Sequence, residues 1–170
     1  MTLLSTPRGR LSPSELERFA AALARFPERW REAIGPLGDS ERCFAQIWAD
    51  QYVNAWAILW TAGADTGFHD HDIAAAGIAV IDGSVVEERL TLDGPPITRR
   101  FGSGQAFHLP AVAIHRVRHG GGPAAALTVH AYSPPLRVQG AYRVGPDGAL
   151  ERDVVPYTHE LGASKLGQAV

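Results

Sequence analysis

The apolar positions of this chain change period once, near residue 42. Before that point Leu16, Phe19, Ala20, Leu23 and Phe26 recur at helical spacing and mark one apolar stripe. Ser12-Pro13-Ser14-Glu15 supplies the start of that helix, with Ser12 as N-cap, Pro13 at the first helical position and Glu15 closing a capping box. Pro27 ends the helix or opens the next, and residues 28–34 predict a second short helix with Trp30 and Ile34 turned inward. Gly35 to Asp39 reads as a turn.

After residue 42 the pattern is one of short strands. Segments 43–49 and 53–60 are rich in aromatic and β-branched residues. Residues 77–81 predict a strand, Asp82-Gly83 a hairpin turn, and 84–92 the return strand, with Glu87 and Arg89 on its wet face. Further strands are expected at 97–101, 106–109, 113–118 and 124–132, and Pro134-Pro135 ends the ladder after Ser133. A last hairpin joins 141–144 to 149–153 through Pro146-Asp147-Gly148, and 156–170 read as a loose tail. Strands at roughly ten-residue spacing predict a mainly β, closed or double-sheet architecture, with two short N-terminal helices packed on the outside. No repeat or low-complexity tract divides the chain. Residues 1–170 therefore read as one domain, with a helical lead-in (1–38), a β-barrel (40–153) and the tail (156–170).

Composition narrows the class. A chain of 170 residues can bury a substantial core. A net charge of −2 offers no basic patch for nucleic acid or anionic lipid. No apolar run approaches the roughly 20 residues of a membrane span, and Met1 to Arg8 lack the apolar core of a secretory signal. Cys43 is the single cysteine, which leaves no internal disulfide and fits a reducing cytoplasm; it reads as an inert buried thiol.

The chemistry concentrates in Gly67-Phe68-His69-Asp70-His71-Asp72. In an extended segment His69 and His71 point to the same face, so both imidazoles can converge on one ion. His115, after Pro110, offers a third ligand. Three neutral imidazoles suit iron, zinc, copper or nickel and leave positions open for substrate. Thr128, His130 and Tyr132 alternate with apolar residues and share one strand face. They form either a relay that aims the phenol at the metal or a satisfied core tyrosine. Arg42 is either a surface charge paired with Glu41 or a clamp for a substrate carboxylate, and Gln46 can serve the same group. Arg116 and Arg118, beside the third histidine, are further candidates. His108 and His119 read as structural or solvent-facing, and Phe44, Trp48, Trp56 and Trp60 as core.

Four segments together resemble the cysteine dioxygenase family of cupin thiol dioxygenases. They are Ile58-Leu59-Trp60, His69-Asp70-His71-Asp72, His115-Arg116-Val117 and His130-Ala131-Tyr132-Ser133-Pro134-Pro135, in family order over about residues 40–136. The last is the most specific, because general cupins lack it. The resemblance implies a cupin or jelly-roll-like β-barrel. It implies one mononuclear Fe(II) per chain on His69, His71 and His115, with Tyr132 and His130 as catalytic residues and Thr128 behind them. Cupins usually add a glutamate three or four residues after the second histidine; here the window holds Ala74, Ala75 and Ala76, which implies a three-histidine site that favours an incoming thiolate. The implied reaction adds O2 to the sulfur of a small thiol, L-cysteine first, to give a sulfinic acid. The alternatives are 3-mercaptopropionate, a non-thiol substrate at the same metal, or a ligand-binding cupin without catalysis. Arg42 falls near the family's carboxylate-binding arginine after a one-residue shift, and Gln46 near the glutamine of 3-mercaptopropionate enzymes. Ala76 stands where animal enzymes place the cysteine crosslinked to the site tyrosine, which implies an uncrosslinked Tyr132. Val112 replaces a usual cupin glycine. The expected partners are the thiol and O2, in the cytoplasm, with no nucleic acid or membrane, and the chain as monomer or dimer.

Overall fold

The structure, a computed structural model, describes residues 5–26, 28, 30, 31, 34 and 42–157. Helix α1 spans Pro13–Ala24 and starts as its sequence requires. The Ser12 N–H donates to Glu15 Oε2 at 2.8 Å, and the Glu15 N–H donates to Ser12 Oγ at 3.4 Å. Leu16, Phe19, Ala20 and Leu23 form its buried stripe, and Phe26 lies half-buried beyond its end. Among the described residues α1 is the single α-helix, so the expected pair is corrected to one. Pro27 and residues 29, 32, 33 and 35–41 of that stretch lie outside the described residues. Trp30 is buried, Ile34 is half-buried, and the Ile34 N–H donates to the Trp30 carbonyl at 3.1 Å.

Eleven strands follow among the described residues: β1 (Arg42–Ala49), β2 (Asn54–Trp60), β3 (His69–Asp70), β4 (Ala75–Asp82), β5 (Ser84–Arg89), β6 (Ile97–Gly102), β7 (Ala106–Leu109), β8 (His115–His119), β9 (Ala126–Ser133), β10 (Val138–Val144) and β11 (Leu150–Pro156). They form a five-stranded sheet, β1-β2-β9-β4-β7, and a six-stranded sheet, β11-β10-β3-β8-β5-β6, with antiparallel ladders. The main core lies between them. Trp56, Ile58, Trp60, Ala76, Ile78, Val80 and Tyr132 of the first sheet meet Val85 and Val117 of the second. The other face of the five-stranded sheet packs Ala55, Ala79, Val129 and Ala131 against Leu16, Phe19 and Leu23 of α1. The helix comes so close to β4 that a Cβ at Gly77 would lie 2.2 Å from the Leu16 carbonyl carbon, so only glycine fits there.

The double-sheet expectation is met, and four local readings are corrected. Asp82-Gly83 does not close a hairpin: β4 pairs with β7 and β9, while β5 pairs with β6 and β8. The tight turn carries the chain from one sheet to the other, a choice its two residues do not encode. Glu87 and Arg89 face inward with Val85, and Glu87 is 1% exposed, its carboxylate accepting from Arg89 Nε at 3.0 Å. Because Val85 and Val86 are both apolar, alternation left the inner face ambiguous, and a slip of one residue inverts it. Cys43, on edge strand β1, is half-buried rather than buried. Finally, part of the expected tail is structured: β11 runs to Pro156, and the Tyr157 ring lies 5.6 Å from that of Trp56. Residues 158–170 lie outside the described residues. No described helix is long and apolar enough to cross a membrane.

Candidate metal centre

Strand pairing, rather than sequence proximity, assembles the three histidines. β3 pairs antiparallel with β8 so that His69 stands directly opposite His115. Cross-strand partners share a face, and alternation places His71 on that face too. All three are buried, and one ring nitrogen from each lies within 4.8 Å of the others. His115 Nε2 and His71 Nε2 are 3.3 Å apart. His69 Nδ1–H donates to the Gly67 carbonyl at 3.0 Å, so the His69 lone pair sits on Nε2. Two donors each about 2.1 Å from one ion, at angles of 90–110°, stand about 3.0–3.4 Å apart. The His71–His115 pair matches that spacing, so the three buried histidines could together hold a metal ion. No carboxylate joins the group among the described residues, and the buried Ala74 and Ala76 stand beyond His71.

Thr128, His130 and Tyr132 all point from β9 into the same interior and are fully buried. The Tyr132 ring packs edge-on against His71, with centroids 4.9 Å apart. A hydrogen bond of 3.2 Å joins the Tyr132 hydroxyl and His130 Nδ1. Trp60 packs on His130 at 5.9 Å, and its Nε1–H donates to Thr128 Oγ1 at 2.9 Å. Thr128 thus supports His130 through Trp60, a link that spacing along β9 does not reveal. Trp56 packs on Tyr132 at 5.6 Å, so two residues expected as core also wall the site.

A family model of cysteine dioxygenase type I matches residues 27–144. The chain belongs to the cysteine dioxygenase type I family. Among solved structures, TT1209 from Thermus thermophilus is similar at 16% identity and a TM-score of 0.53, covering 62% of this chain and 94% of that one. BH2720 from Bacillus halodurans aligns at 17% identity and a TM-score of 0.52, over 76% and 84% of the two chains. An uncharacterized protein with a double-stranded β-helix domain from Klebsiella pneumoniae aligns at 15% identity and a TM-score of 0.52, over 61% and 80%. These likenesses show the fold, the double-stranded β-helix of cupins. No curated protein matches the chain.

In this cysteine dioxygenase family member the candidate substrate-binding residues separate by exposure. Register places Arg42, Phe44 and Gln46 opposite Trp60, Ile58 and Trp56, on the sheet face that carries the site. Arg42 is 5% exposed, with its guanidinium 5.5 Å from the Trp60 ring, whereas Gln46 is exposed. Arg116 lies on the opposite face of β8 from His115. It donates to both carboxylate oxygens of Asp65, approaches Glu88 at 3.5 Å and covers the Phe68 ring. The Asp65 hydrogen bond raises the Arg116 pKa against the effect of burial. Arg118 pairs with Glu88 at 2.9 Å, so both arginines are engaged away from the histidines. His108 pairs with Glu17 of α1 at 2.5 Å. His119 is buried, its Nε2–H donating to the Ala124 carbonyl and its Nδ1 accepting the Gly121 N–H. A cavity of about 650 Å³ between Asp72–Ala74 and Pro134–Val138 reaches His71 from solvent.

Sequence reasoning passed over Asp70. It stands between the two histidines but on the outer face of β3, where Arg152 and Tyr142 donate to its carboxylate. Burial favours the neutral acid, but the hydrogen bonds from Arg152, Tyr142 and the Asp72 N–H outweigh it and hold the Asp70 pKa far below the usual carboxylate range. The signal available was the Asp itself: a charge between two converging ligands must find a partner on the other face.

Proposed function

We propose that the chain is a non-haem Fe(II) thiol dioxygenase that adds both atoms of O2 to the sulfur of a small thiol, L-cysteine first, to give a sulfinic acid. The observation that carries this reading is the buried three-histidine set, joined by no carboxylate among the described residues and packed against the Tyr132–His130 pair. His69, His71 and His115 would hold the Fe(II), which would supply a Lewis acid that favours the substrate thiolate and a redox centre for O2. Oxidation of the sulfur and reduction of O2 balance with no outside reductant, and the chemistry stops at the sulfinate rung.

The chain's own residues orient the substrate and keep water out. The Tyr132 hydroxyl, held by His130 and buried beside His71, is placed to hydrogen-bond the bound substrate. Trp56 and Trp60 wall the interior side. Arg42, buried against Trp60, is assigned the substrate carboxylate; exposed Gln46 is a weaker candidate for that role, so cysteine is favoured over the glutamine-type substrate. Cys43 is a free thiol, in keeping with the cytoplasm as the place of action.

Oxygen uptake by anaerobically Fe(II)-loaded protein, with L-cysteine, 3-mercaptopropionate and cysteamine in parallel, tests the reading. Uptake with cysteine and little with cysteamine, which lacks a carboxylate, is expected. No uptake with any thiol would move the function to a non-thiol substrate or another metal at the same histidines.

A further inference from the structure

Asp70 uses every acceptor position it has. Its Oδ1 accepts the Asp72 N–H at 2.8 Å, the Gly140 N–H at 3.2 Å and Arg152 Nη2–H at 2.9 Å. Its Oδ2 accepts Arg152 Nε–H at 2.7 Å and the Tyr142 hydroxyl at 2.7 Å. The Arg152–Asp70 pair is therefore a two-bond fork, which fixes direction as well as distance.

Three observations tie that fork to the histidines. First, β3 has little ladder of its own. It meets β10 at Gly140↔Asp70 and Ala141↔His69, and β8 at His69↔His115; His71 lies beyond these pairs. Second, the chain reverses directly after His71. Asp72 has φ +56, the left-handed region that side chains rarely adopt, and its N–H is held by Asp70 Oδ1. Arg152 also lies 3.7 Å from the Asp72 carboxylate, so one guanidinium engages the residues on both sides of His71. Third, β10 leaves room for the fork: a Cβ at Gly140 would lie 2.2 Å from Arg152 Nε and 2.6 Å from Asp70 Oδ2.

We propose that Arg152 is a positioning residue of the metal centre, which by holding Asp70 and Asp72 fixes the turn that aims His71, and with it His69, at His115. The inference rests on the reading that these three histidines hold a metal. Outer partners that orient ligands are typically worth about 10–100-fold in metal affinity. Lysine in this place keeps the charge but cannot form two parallel bonds.

The test is Co(II) titration of apo wild type, Arg152→Met and Arg152→Lys, reading the dissociation constant and the visible ligand-field bands, with a thermal melt of each apo protein. Arg152→Met is expected to weaken Co(II) binding by about 10–100-fold and to shift the bands, with Arg152→Lys between it and wild type. An Arg152→Met protein that melts lower yet binds Co(II) with wild-type affinity and bands overturns the proposal, because the network then holds only the hairpin. If Arg152→Met does not fold, Arg152→Lys decides: weaker binding with shifted bands supports the role, and wild-type values overturn it. Wild-type protein that binds no Co(II) would overturn the metal reading, and the proposal with it.

Discussion

The two halves of the candidate site are held by different forces. Tyr132 and His130 stand on β9, the middle strand of its sheet, with Trp56 and Trp60 packed on one face and α1 behind the other. His69 and His71 stand on or just past a two-residue strand of the other sheet, held on its outer face by hydrogen bonds to Asp70. Dense packing fixes a ring because neighbours leave it one place to lie. A ligand nitrogen must also point the right way, and charge-assisted hydrogen bonds supply direction that packing does not. The difference teaches that damage to one half should leave the other half's observable intact.

The largest effect belongs to the ligands. His71→Ala should abolish metal binding and oxygen uptake while leaving the apo fold, read by circular dichroism, close to wild type; iron retained at full stoichiometry would remove His71 from the ligand set. The matching break in the packed half is Gly77→Val. Its side chain meets the Leu16 backbone, so about 1–3 kcal/mol of stability should be lost, visible as a lower Tm. Metal affinity of the folded fraction should change little, and an unchanged Tm would show that α1 is not pressed on β4. Arg42→Ala removes a charge-assisted bond worth about 1.5–3 kcal/mol, so KM for cysteine should rise about 10–100-fold with metal content unchanged. A KM within twofold of wild type would take the carboxylate away from Arg42. Tyr132→Phe should keep the metal and lower kcat about tenfold, with more O2 consumed per sulfinate formed. Equal kinetics would leave Tyr132 a packing residue. The smallest change is expected for Arg116→Ala, whose partly exposed pairs with Asp65 and Glu88 are worth under about 1 kcal/mol. A large KM effect there would reopen its role as a substrate contact.

Much of the packed half was legible in the sequence because it rests on local periodicity. The α1 stripe, its capping box and the shared face of Thr128, His130 and Tyr132 follow from spacings of two to four residues. His69 and His71 were legible for the same reason. Legibility failed where a choice depends on distant partners. Arg152 lies 82 residues from Asp70, and nothing in either neighbourhood announces the fork. Trp60 joins Thr128 across 68 residues. Asp82-Gly83 encodes a tight reversal but not which sheet receives the next strand, and the Val85-Val86 pair hides which side of β5 is buried. Arg116 looked available because it adjoins His115 in sequence, yet neighbours on a strand point to opposite faces.

The most direct test of the account is the product formed from L-cysteine by Fe(II)-loaded protein under ¹⁸O2. The account predicts cysteine sulfinic acid with both oxygens of its sulfinate group carrying the label, and no such product from the His71→Ala protein under the same conditions. A single labelled oxygen, an unoxidised thiol, or equal product from the histidine variant would contradict it.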